Sequence, residues 1–178
     1  MGHLIIANHI VEFSDLDEVW FVVTPHNPHK KKKTLLEDYH RLAMVEIAIE
    51  DYPKLRASNV EFSLPQPNYT VNTLAYLEEK YPKINFCLIM GEDNLKSLHK
   101  WKNYEVILER YSIYVYPRIS EGSVETQFHN HQKIQKIDAP IIELSSTFIR
   151  NAVKEGKDIR PMLSPDVWKY LDEMNFYR

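Results

Sequence analysis

Side chains suited to binding an anion are grouped in the heptapeptide Leu144–Arg150, which reads Leu-Ser-Ser-Thr-Phe-Ile-Arg. Ser145 and Ser146 are good N-cap residues, and the apolar residues that follow at helical spacing predict a helix that begins here. The N–H groups of a first helical turn and the positive end of the helix dipole attract anions. Thr147 adds a third hydroxyl, and Arg150 adds a cation one turn further on. Two interpretations follow, a phosphate site or a plain capped helix with a surface arginine.

Strands and helices alternate along the chain. Continuous apolar runs predict strands that are buried on both faces, and apolar residues at helical spacing predict the helices. This alternation predicts an α/β fold with a Rossmann-like, doubly wound parallel sheet that carries helices on both faces. The predicted strands are 18–24, 57–64, 84–90, 112–116 and one within 133–142, and the predicted helices are 4–13, 34–51, 71–81, 94–101, 104–109, 145–156 and 164–174.

Polar side chains follow the predicted strands at the points where ligands bind in such sheets. Ligands of doubly wound sheets bind beyond the carboxyl ends of the strands. Asn27 and Lys30 follow the first predicted strand, Asp93 and Arg118 follow the third and fourth, and Ser146 follows the last. This convergence favours the phosphate site over the plain capped helix.

Glycine is scarce, with only four residues in the chain. Glycine is used where the backbone must turn sharply or approach another group closely. Gly156 is explained as the residue that ends the helix begun at Ser145. Gly2 and Gly91 have no such explanation, so we expect a close approach to a ligand at each.

Length and composition predict one soluble domain spanning residues 1–178. The chain has 44% hydrophobic and 26% charged residues, typical of a globular protein. A net charge of −3 argues against a dedicated nucleic-acid binder. The single cysteine, Cys87, lies in an apolar run and is predicted to be a buried thiol, which suits the reducing cytoplasm. No apolar run is long enough to span a membrane and no secretion signal is visible, so a cytoplasmic location without a membrane partner is predicted.

Four motifs occur in a characteristic order. Gly2-His3-Leu4 looks like the end of a His-x-Gly-His-Leu motif, and residues 69–74 are similar to Tyr-Thr-x-Asp-Thr-Leu, with Asn72 in place of the aspartate. Residues 90–101 are similar to a Gly-x-Asp…Trp block, and 144–150 resembles Ile-Ser-Ser-Thr-x-Ile-Arg. Together these motifs resemble those of the nicotinate-nucleotide adenylyltransferases, a family of nucleotidyltransferases, over essentially the whole chain.

Members of that family begin with a strand, a Gly-x-Phe-x-Pro loop and the first histidine of the pair, and this sequence starts after them. In the family, that strand lies between the strands predicted here at 18–24 and 84–90, so its absence would leave two unpaired sheet edges. Our hypothesis is an N-terminally truncated version of the protein. An in-frame stop codon immediately upstream of Met1 would refute it. Without the partner of His3, we expect a rate lower by about 10²–10³.

The resemblance implies adenylyl transfer from ATP to nicotinate mononucleotide, which gives deamido-NAD and pyrophosphate in NAD biosynthesis. Mg²⁺ would accompany ATP, and no protein nucleophile is needed because the attacking phosphate is already an anion. The implied catalytic residues are His3 and Arg150. The implied ATP-binding residues are Gly2, His3, Gly91, Asp93, Ser145, Ser146, Thr147 and Arg150. The implied substrate-binding residues are Lys30, Tyr69, Thr70, Trp101 and Arg118.

Each implied role has a physical reason. His3 would contact the phosphates of ATP from a helix start, and Gly91 with Asp93 would meet a nucleotide sugar. Tyr69 and Thr70, at another helix start, would present N–H groups to the nicotinate carboxylate, which nicotinamide lacks. The remaining mononucleotide contacts would be stacking of Trp101 on the pyridine ring and binding of the phosphate by Arg118.

Alternatives stay open at this point. The first is another nucleotidyltransferase of the superfamily, for example one that acts on phosphopantetheine. The second is a nucleotide-binding remnant without activity, or a homo-oligomer that supplies the missing strand from a neighbour. The histidine pairs His26/His29 and His129/His131 have spacings that metals use, but no third ligand accompanies them, so no metal site is predicted.

Overall fold

The computed structural model describes residues 1–25, 36–118, 127–128 and 130–178. Helices and strands alternate through these residues, as the apolar patterns predict. In chain order the elements are α1 (Gly2–Phe13), β1 (Val19–Val22), α2 (Asp38–Ile49), β2 (Leu55–Ser58), α3 (Thr70–Lys80), β3 (Leu88–Gly91), α4 (Glu92–Ser97), α5 (Tyr104–Arg110), β4 (Ile113–Tyr116), β5 (Ile134–Lys136), α6 (Ser146–Lys154) and α7 (Pro165–Glu173). Short 3₁₀ turns lie at Val60–Ser63, Leu98–Lys100 and Arg160–Met162.

Every pair of neighbouring strands in the described part of the chain is parallel. β1 pairs with β2 in one sheet, and the order β3-β4-β5 forms the other. Parallel pairs need crossover connections, and helices lie between β1 and β2 and between β3 and β4 in the sequence. The α/β prediction with parallel strands is therefore confirmed. β1 and β3 are each at the edge of their own sheet and are not paired with one another.

The described chain divides into two compact units. The terminal unit comprises residues 1–23, 36–58 and 142–178, and the central unit comprises the described residues of 24–35 and 59–141. Ile10 of α1 is completely buried, and in the central unit Leu98, Ile107 and Ile113 are completely buried. An apolar cluster in the terminal unit packs the inner face of α6 against α7. Its buried members are Ile149, Ala152, Val153, Ile159 and Leu171.

Helix α6 has both of the ends that its sequence predicts. At its start, the Ser145 hydroxyl accepts a hydrogen bond from the N–H of Phe148 at 3.1 Å. At its end, Gly156 has a φ of +69°, a left-handed conformation that glycine adopts at low cost. The N–H of Gly156 donates to the carbonyl of Val153, and that of Lys157 donates to the carbonyl of Ala152. These two bonds form a Schellman motif, which stops the helix cleanly.

Several predicted boundaries are wrong because strand ends depend on pairing partners. The strand predicted at 57–64 is β2, which begins at Leu55, pairs with β1 and ends at Ser58, and a 3₁₀ turn follows. The strand predicted at 84–90 is reduced to Leu88–Gly91, the residues that pair with β4. Cys87 precedes this strand and is half-buried rather than buried.

Helix α2 begins at Asp38, later than predicted. The last strand covers only Ile134–Lys136 of the predicted range. None of the helices in the described ranges is long and apolar enough to cross a membrane.

Candidate active site

The start of α6 carries a connected pair of the predicted residues. Arg150 is half-buried, and its Nη2 donates a hydrogen bond to the Thr147 hydroxyl at 3.1 Å. Ser145, Ser146 and Thr147 are all exposed. Three hydroxyls and a guanidinium are therefore present at one helix N-terminus, where backbone N–H groups also attract anions. The capping bond of Ser145 and this anion-attracting end belong to the same turn, so a capped helix and a phosphate site do not exclude one another.

Gly2 brings the start of α1 next to the residues that lead into α6. A Cβ atom on Gly2 would lie 3.4 Å from Cγ2 of Ile142 and 3.6 Å from the carbonyl oxygen of Leu144. His3 follows in the first turn of α1 and is exposed. The structure therefore brings Gly2 and the segment before Ser145 together within the terminal unit.

Tyr177 is a neighbour of Arg150 that sequence reasoning missed. Burial raises the pKa of the Tyr177 phenol, while the nearby positive charges of Arg150 and Arg41 oppose this rise in pKa. Tyr177 also packs against the apolar cluster that supports α6. Residues this close to the C-terminus carry no local signal for such a contact, because it depends on how α7 packs.

The carboxyl ends of β3 and β4 hold three predicted residues together in the central unit. The register pairs Gly91 with Tyr116, so Asp93 and Arg118 each follow a paired residue by two positions. Arg118 Nη1 lies 3.2 Å from Asp93 Oδ2 in an exposed ion pair. The Arg118 N–H also donates to Glu92 Oε2 at 3.3 Å.

The absence of a side chain at Gly91 is what allows this arrangement. A Cβ atom there would lie 2.5 Å from Asp93 Oδ1, 3.2 Å from Arg118 Cδ and 3.2 Å from Tyr116 Cε2. The close approach expected at Gly91 is therefore to protein side chains. Burial raises the pKa of Tyr116, Arg118 opposes this rise and Asp93 adds to it, so the phenol belongs to the same charged group.

Tyr69 and Thr70 begin α3, as predicted. Tyr69 is the N-cap residue, and Thr70 is the first residue of the helix. The Lys102 ammonium lies over the Tyr69 ring, with Nζ 4.4 Å from the ring centroid. Trp101 is half-buried and, like Tyr69, packs against the central apolar core. The structure therefore places Trp101 and Tyr69 against one core, and it adds Lys102, which sequence reasoning missed.

A buried polar network supports the start of α3. The Thr73 hydroxyl donates to Glu61 Oε1 at 2.6 Å, and Asn68 Nδ2 donates to the carbonyl of Glu61 at 3.1 Å. Glu61, Asn68 and Thr73 are all buried. Asn72, which replaces an aspartate in the resembling motif, is exposed. The contacts of Glu61 therefore link the 3₁₀ turn after β2 to α3 through buried hydrogen bonds.

Some predictions fall on residues outside the described ranges. These residues are Asn27, Lys30, both members of the His26/His29 pair, and His129 of the His129/His131 pair. Within the ranges that the structure does describe, no group of three or more histidine, cysteine, aspartate or glutamate side chains is arranged to hold a metal ion.

Comparisons with known proteins identify the family to which the chain belongs. The family model described as cytidylyltransferase-like matches residues 1–152. The parallel α/β fold and the match to this family model together identify the chain as a nucleotidyltransferase of the cytidylyltransferase-like class.

The names of similar proteins show to which family of nucleotidyltransferases the chain belongs. A protein of Christiangramia forsetii named "Probable nicotinate-nucleotide adenylyltransferase" is 66% identical over 99% of this chain and 91% of its own length. A Flavobacterium psychrophilum protein of the same name is 65% identical over 100% of this chain and 92% of its own. The chain belongs to the nicotinate-nucleotide adenylyltransferase family.

A solved structure supports the fold. The nicotinic acid mononucleotide adenylyltransferase of Plasmodium falciparum, complexed with NaAD, matches with a TM-score of 0.82. The match covers 99% of this chain and 90% of the other, at 21% sequence identity. At 21% identity this similarity is evidence for the fold alone, and it confirms the predicted Rossmann-like fold.

Proposed function

We propose that this protein transfers the adenylyl group of ATP to the 5′-phosphate of nicotinate mononucleotide, giving deamido-NAD and pyrophosphate. One observation carries the proposal, the 66% identity over 99% of the chain to a relative that bears the name of this activity. The exposed hydroxyls at the start of α6 add physical support, because the reaction requires a polyphosphate site.

The chemistry needs alignment and charge stabilisation rather than a protein nucleophile. A phosphate oxygen of the mononucleotide forms a bond to the α-phosphorus of ATP. The bond from that phosphorus to the oxygen that bridges the α- and β-phosphates breaks, and pyrophosphate leaves with the electron pair. Charge develops on the non-bridging and leaving oxygens, so fixed donors directed at them accelerate the step.

The terminal unit supplies the donors for ATP in this proposal. Ser146, Thr147 and the first-turn N–H groups of α6 receive phosphate oxygens, and the Ser145 cap keeps that turn in place. Arg150 adds a positive charge that is already oriented by its hydrogen bond to Thr147. Gly2 and His3 contribute from the start of α1, with His3 as the second group that stabilises developing charge.

The central unit supplies the groups at the carboxyl ends of β3 and β4. Gly91 and Asp93 meet a nucleotide sugar, and Arg118 binds the mononucleotide phosphate. Arg118 pairs with Asp93 at 3.2 Å. Both side chains are exposed, and such pairs contribute only about 0–1 kcal/mol. A phosphate dianion therefore displaces the carboxylate at little cost and forms the stronger bidentate contact.

The pyridine end of the substrate is assigned to the start of α3. The N–H groups of its first turn, at Tyr69 and Thr70, receive the nicotinate carboxylate, and the Trp101 indole stacks on the ring. Lys30 completes the proposed set as a phosphate contact. We also infer that residues 1–178 act as one nucleotidyltransferase domain, because the family model spans residues from both compact units.

Mg²⁺ enters this scheme as part of the MgATP substrate. Mg²⁺ prefers phosphate and water oxygens and takes few protein ligands, often one or two carboxylates. This role needs only one or two carboxylates, and the adjacent Glu92 and Asp93 at the end of β3 are carboxylates of the proposed site. When bound, Mg²⁺ neutralises phosphate charge.

The test is a substrate panel with purified protein. ATP and MgCl₂ are incubated with nicotinate mononucleotide, nicotinamide mononucleotide or phosphopantetheine, and dinucleotide formation and pyrophosphate release are both measured. We expect deamido-NAD and pyrophosphate in equal amounts with the first substrate, and far slower turnover with the other two. Faster turnover of phosphopantetheine, or ATP binding by calorimetry without turnover of any substrate, would refute the proposal.

A further inference from the structure

The cation of Lys102 is held at the start of α3 without an acidic partner in the described chain. Its Nζ lies 4.4 Å from the centre of the Tyr69 ring. Tyr69 immediately precedes the first turn of α3. Within the described ranges, no aspartate or glutamate forms an ion pair with Lys102. The ammonium therefore faces the ring of the N-cap residue and not a carboxylate of the described residues.

Two neighbours restrict where the ammonium can go. A long lysine side chain on a surface normally samples many rotamers. Attraction to the negative face of the Tyr69 ring favours the rotamers that keep the ammonium there. The main chain is anchored as well, because the preceding residue, Trp101, packs against the same apolar core as Tyr69.

A charge of this sign has a physical use at this position. Glu61 is buried and accepts a hydrogen bond from Thr73 in the first turns of α3. Glu61 already places a carboxyl group beside this helix start. An ammonium on the exposed side attracts the carboxylate of a ligand while gaining nothing comparable from a neutral amide.

We propose that Lys102 is a specificity-determining residue that selects the acid form of the pyridine mononucleotide over its amide. This rests on the proposed function, because it assigns the carboxylate of nicotinate mononucleotide to the start of α3. Lys102 acts through charge, held in place by the Tyr69 ring, and it takes no part in the bonds that form or break.

The test compares three single variants of the full chain. Lys102→Gln removes the charge at similar length, Lys102→Arg retains it, and Lys100→Gln removes an equal charge from a nearby exposed lysine that has no ring contact in the described chain. The measurements are kcat/KM for nicotinate mononucleotide and for nicotinamide mononucleotide, with dissociation constants for both by calorimetry.

We expect Lys102→Gln to lower the preference for the acid by about tenfold, all of it through weaker binding and lower kcat/KM with the acid. The values for the amide stay unchanged, as do all values for Lys100→Gln, and Lys102→Arg retains most of the preference. A merely structural lysine would affect acid and amide equally, so equal losses overturn the proposal, and so does an unchanged preference.

A double-mutant cycle with Tyr69→Leu tests whether the Tyr69 ring contributes to the acid preference by holding the Lys102 ammonium in place. If the ring holds the ammonium in place, Lys102→Gln has a smaller effect on acid preference in the Tyr69→Leu background than in the wild type. Equal effects in both backgrounds would remove Tyr69 from the proposal. Failure of the wild-type protein to bind or use nicotinate mononucleotide would instead refute the proposed function, so the two failures are distinguishable.

Discussion

Replacing Gly91 by alanine tests whether this glycine exists to let side chains approach the end of β3. The backbone there has φ −79° and ψ 158°, which any residue adopts, so the variant introduces no backbone strain. The added methyl group would lie 2.5 Å from Asp93 Oδ1 and 3.2 Å from both Arg118 Cδ and Tyr116 Cε2. All effects of this variant therefore arise from what the methyl group displaces.

The neighbours differ in how easily they move. Asp93 is exposed and rotates away, and the ion pair with Arg118 that is lost contributes about 0–1 kcal/mol. Tyr116 is only 8% exposed and lies on a paired strand, so its ring shifts against a packed core. Overpacking of this kind typically costs about 1–3 kcal/mol. We expect the free energy of unfolding to fall by about 1–3 kcal/mol.

The same variant also loses activity. The displaced Asp93 and Arg118 both belong to the proposed substrate site, and a misplacement of about 1 Å costs about 10²-fold in rate. We therefore expect kcat/KM for nicotinate mononucleotide to decrease by about 10²-fold. Pyrophosphate release under initial-rate conditions measures the activity, and urea unfolding followed by circular dichroism measures the stability.

Gly156→Ala is the matched control. Gly156 has φ +69° and nothing within 4 Å of an added Cβ, so alanine there is strained by its backbone alone. A left-handed conformation costs about 1–2 kcal/mol for a residue with a side chain. The control thus loses similar stability without affecting the site. The reasoning is refuted if Gly91→Ala keeps its kcat/KM within about twofold of the wild type, or if Gly156→Ala loses as much activity.

Five further variants test three single contacts. Ser145→Ala should lower the free energy of unfolding by about 1 kcal/mol, because the capping bond is lost. Ser146→Ala is the control, since the cap residue is Ser145, and it should change the free energy of unfolding by less than about 0.5 kcal/mol in the same urea assay. Arg150→Ala should lower kcat/KM for ATP by about 10²-fold. Arg150→Lys should recover only part of it, because an ammonium lacks the planar guanidinium that can donate to Thr147 and to a phosphate together; full recovery would show that positive charge alone is enough. Burial and a hydrogen bond to Glu78 raise the pKa of Tyr111 to about 12. Because this folded-state pKa exceeds the value of about 10 in unfolded chains, the stability that the phenol contributes is complete below pH 10 and is lost as pH rises towards 12. Glu78→Gln should lower the pKa of Tyr111 in an ultraviolet titration, and an unchanged pKa would contradict the assigned cause.

Elements defined by their own neighbouring residues were predicted well from the sequence. Helix α6 is the clearest case, with its serine cap, its apolar inner face and its left-handed glycine all present. α1, α3 and α7 are likewise where the apolar spacing places them. Caps and helical stripes depend on residues within a few positions of one another, so a linear pattern contains the necessary information.

Strand limits were predicted less well. β2 and β3 end where their pairing partners end, and a continuous apolar run does not indicate which of its residues will pair. The strand predicted at 57–64 illustrates this, because Glu61 is buried in a hydrogen-bonded 3₁₀ turn rather than in a ladder. Pairing is a property of two segments that are distant in sequence.

Residue types and motif order were enough to predict the chemical class and to suggest most residues of the proposed site. The sequence alone shows the hydroxyls at the start of α6, the glycine that follows the apolar run 84–90, and the arginine that follows the next strand. Only folding decided that Gly91 lies beside Tyr116, that Arg118 pairs with Asp93 and that Lys102 covers the Tyr69 ring. These contacts join segments far apart in the chain, and strand register and core packing, rather than any local preference, bring them together.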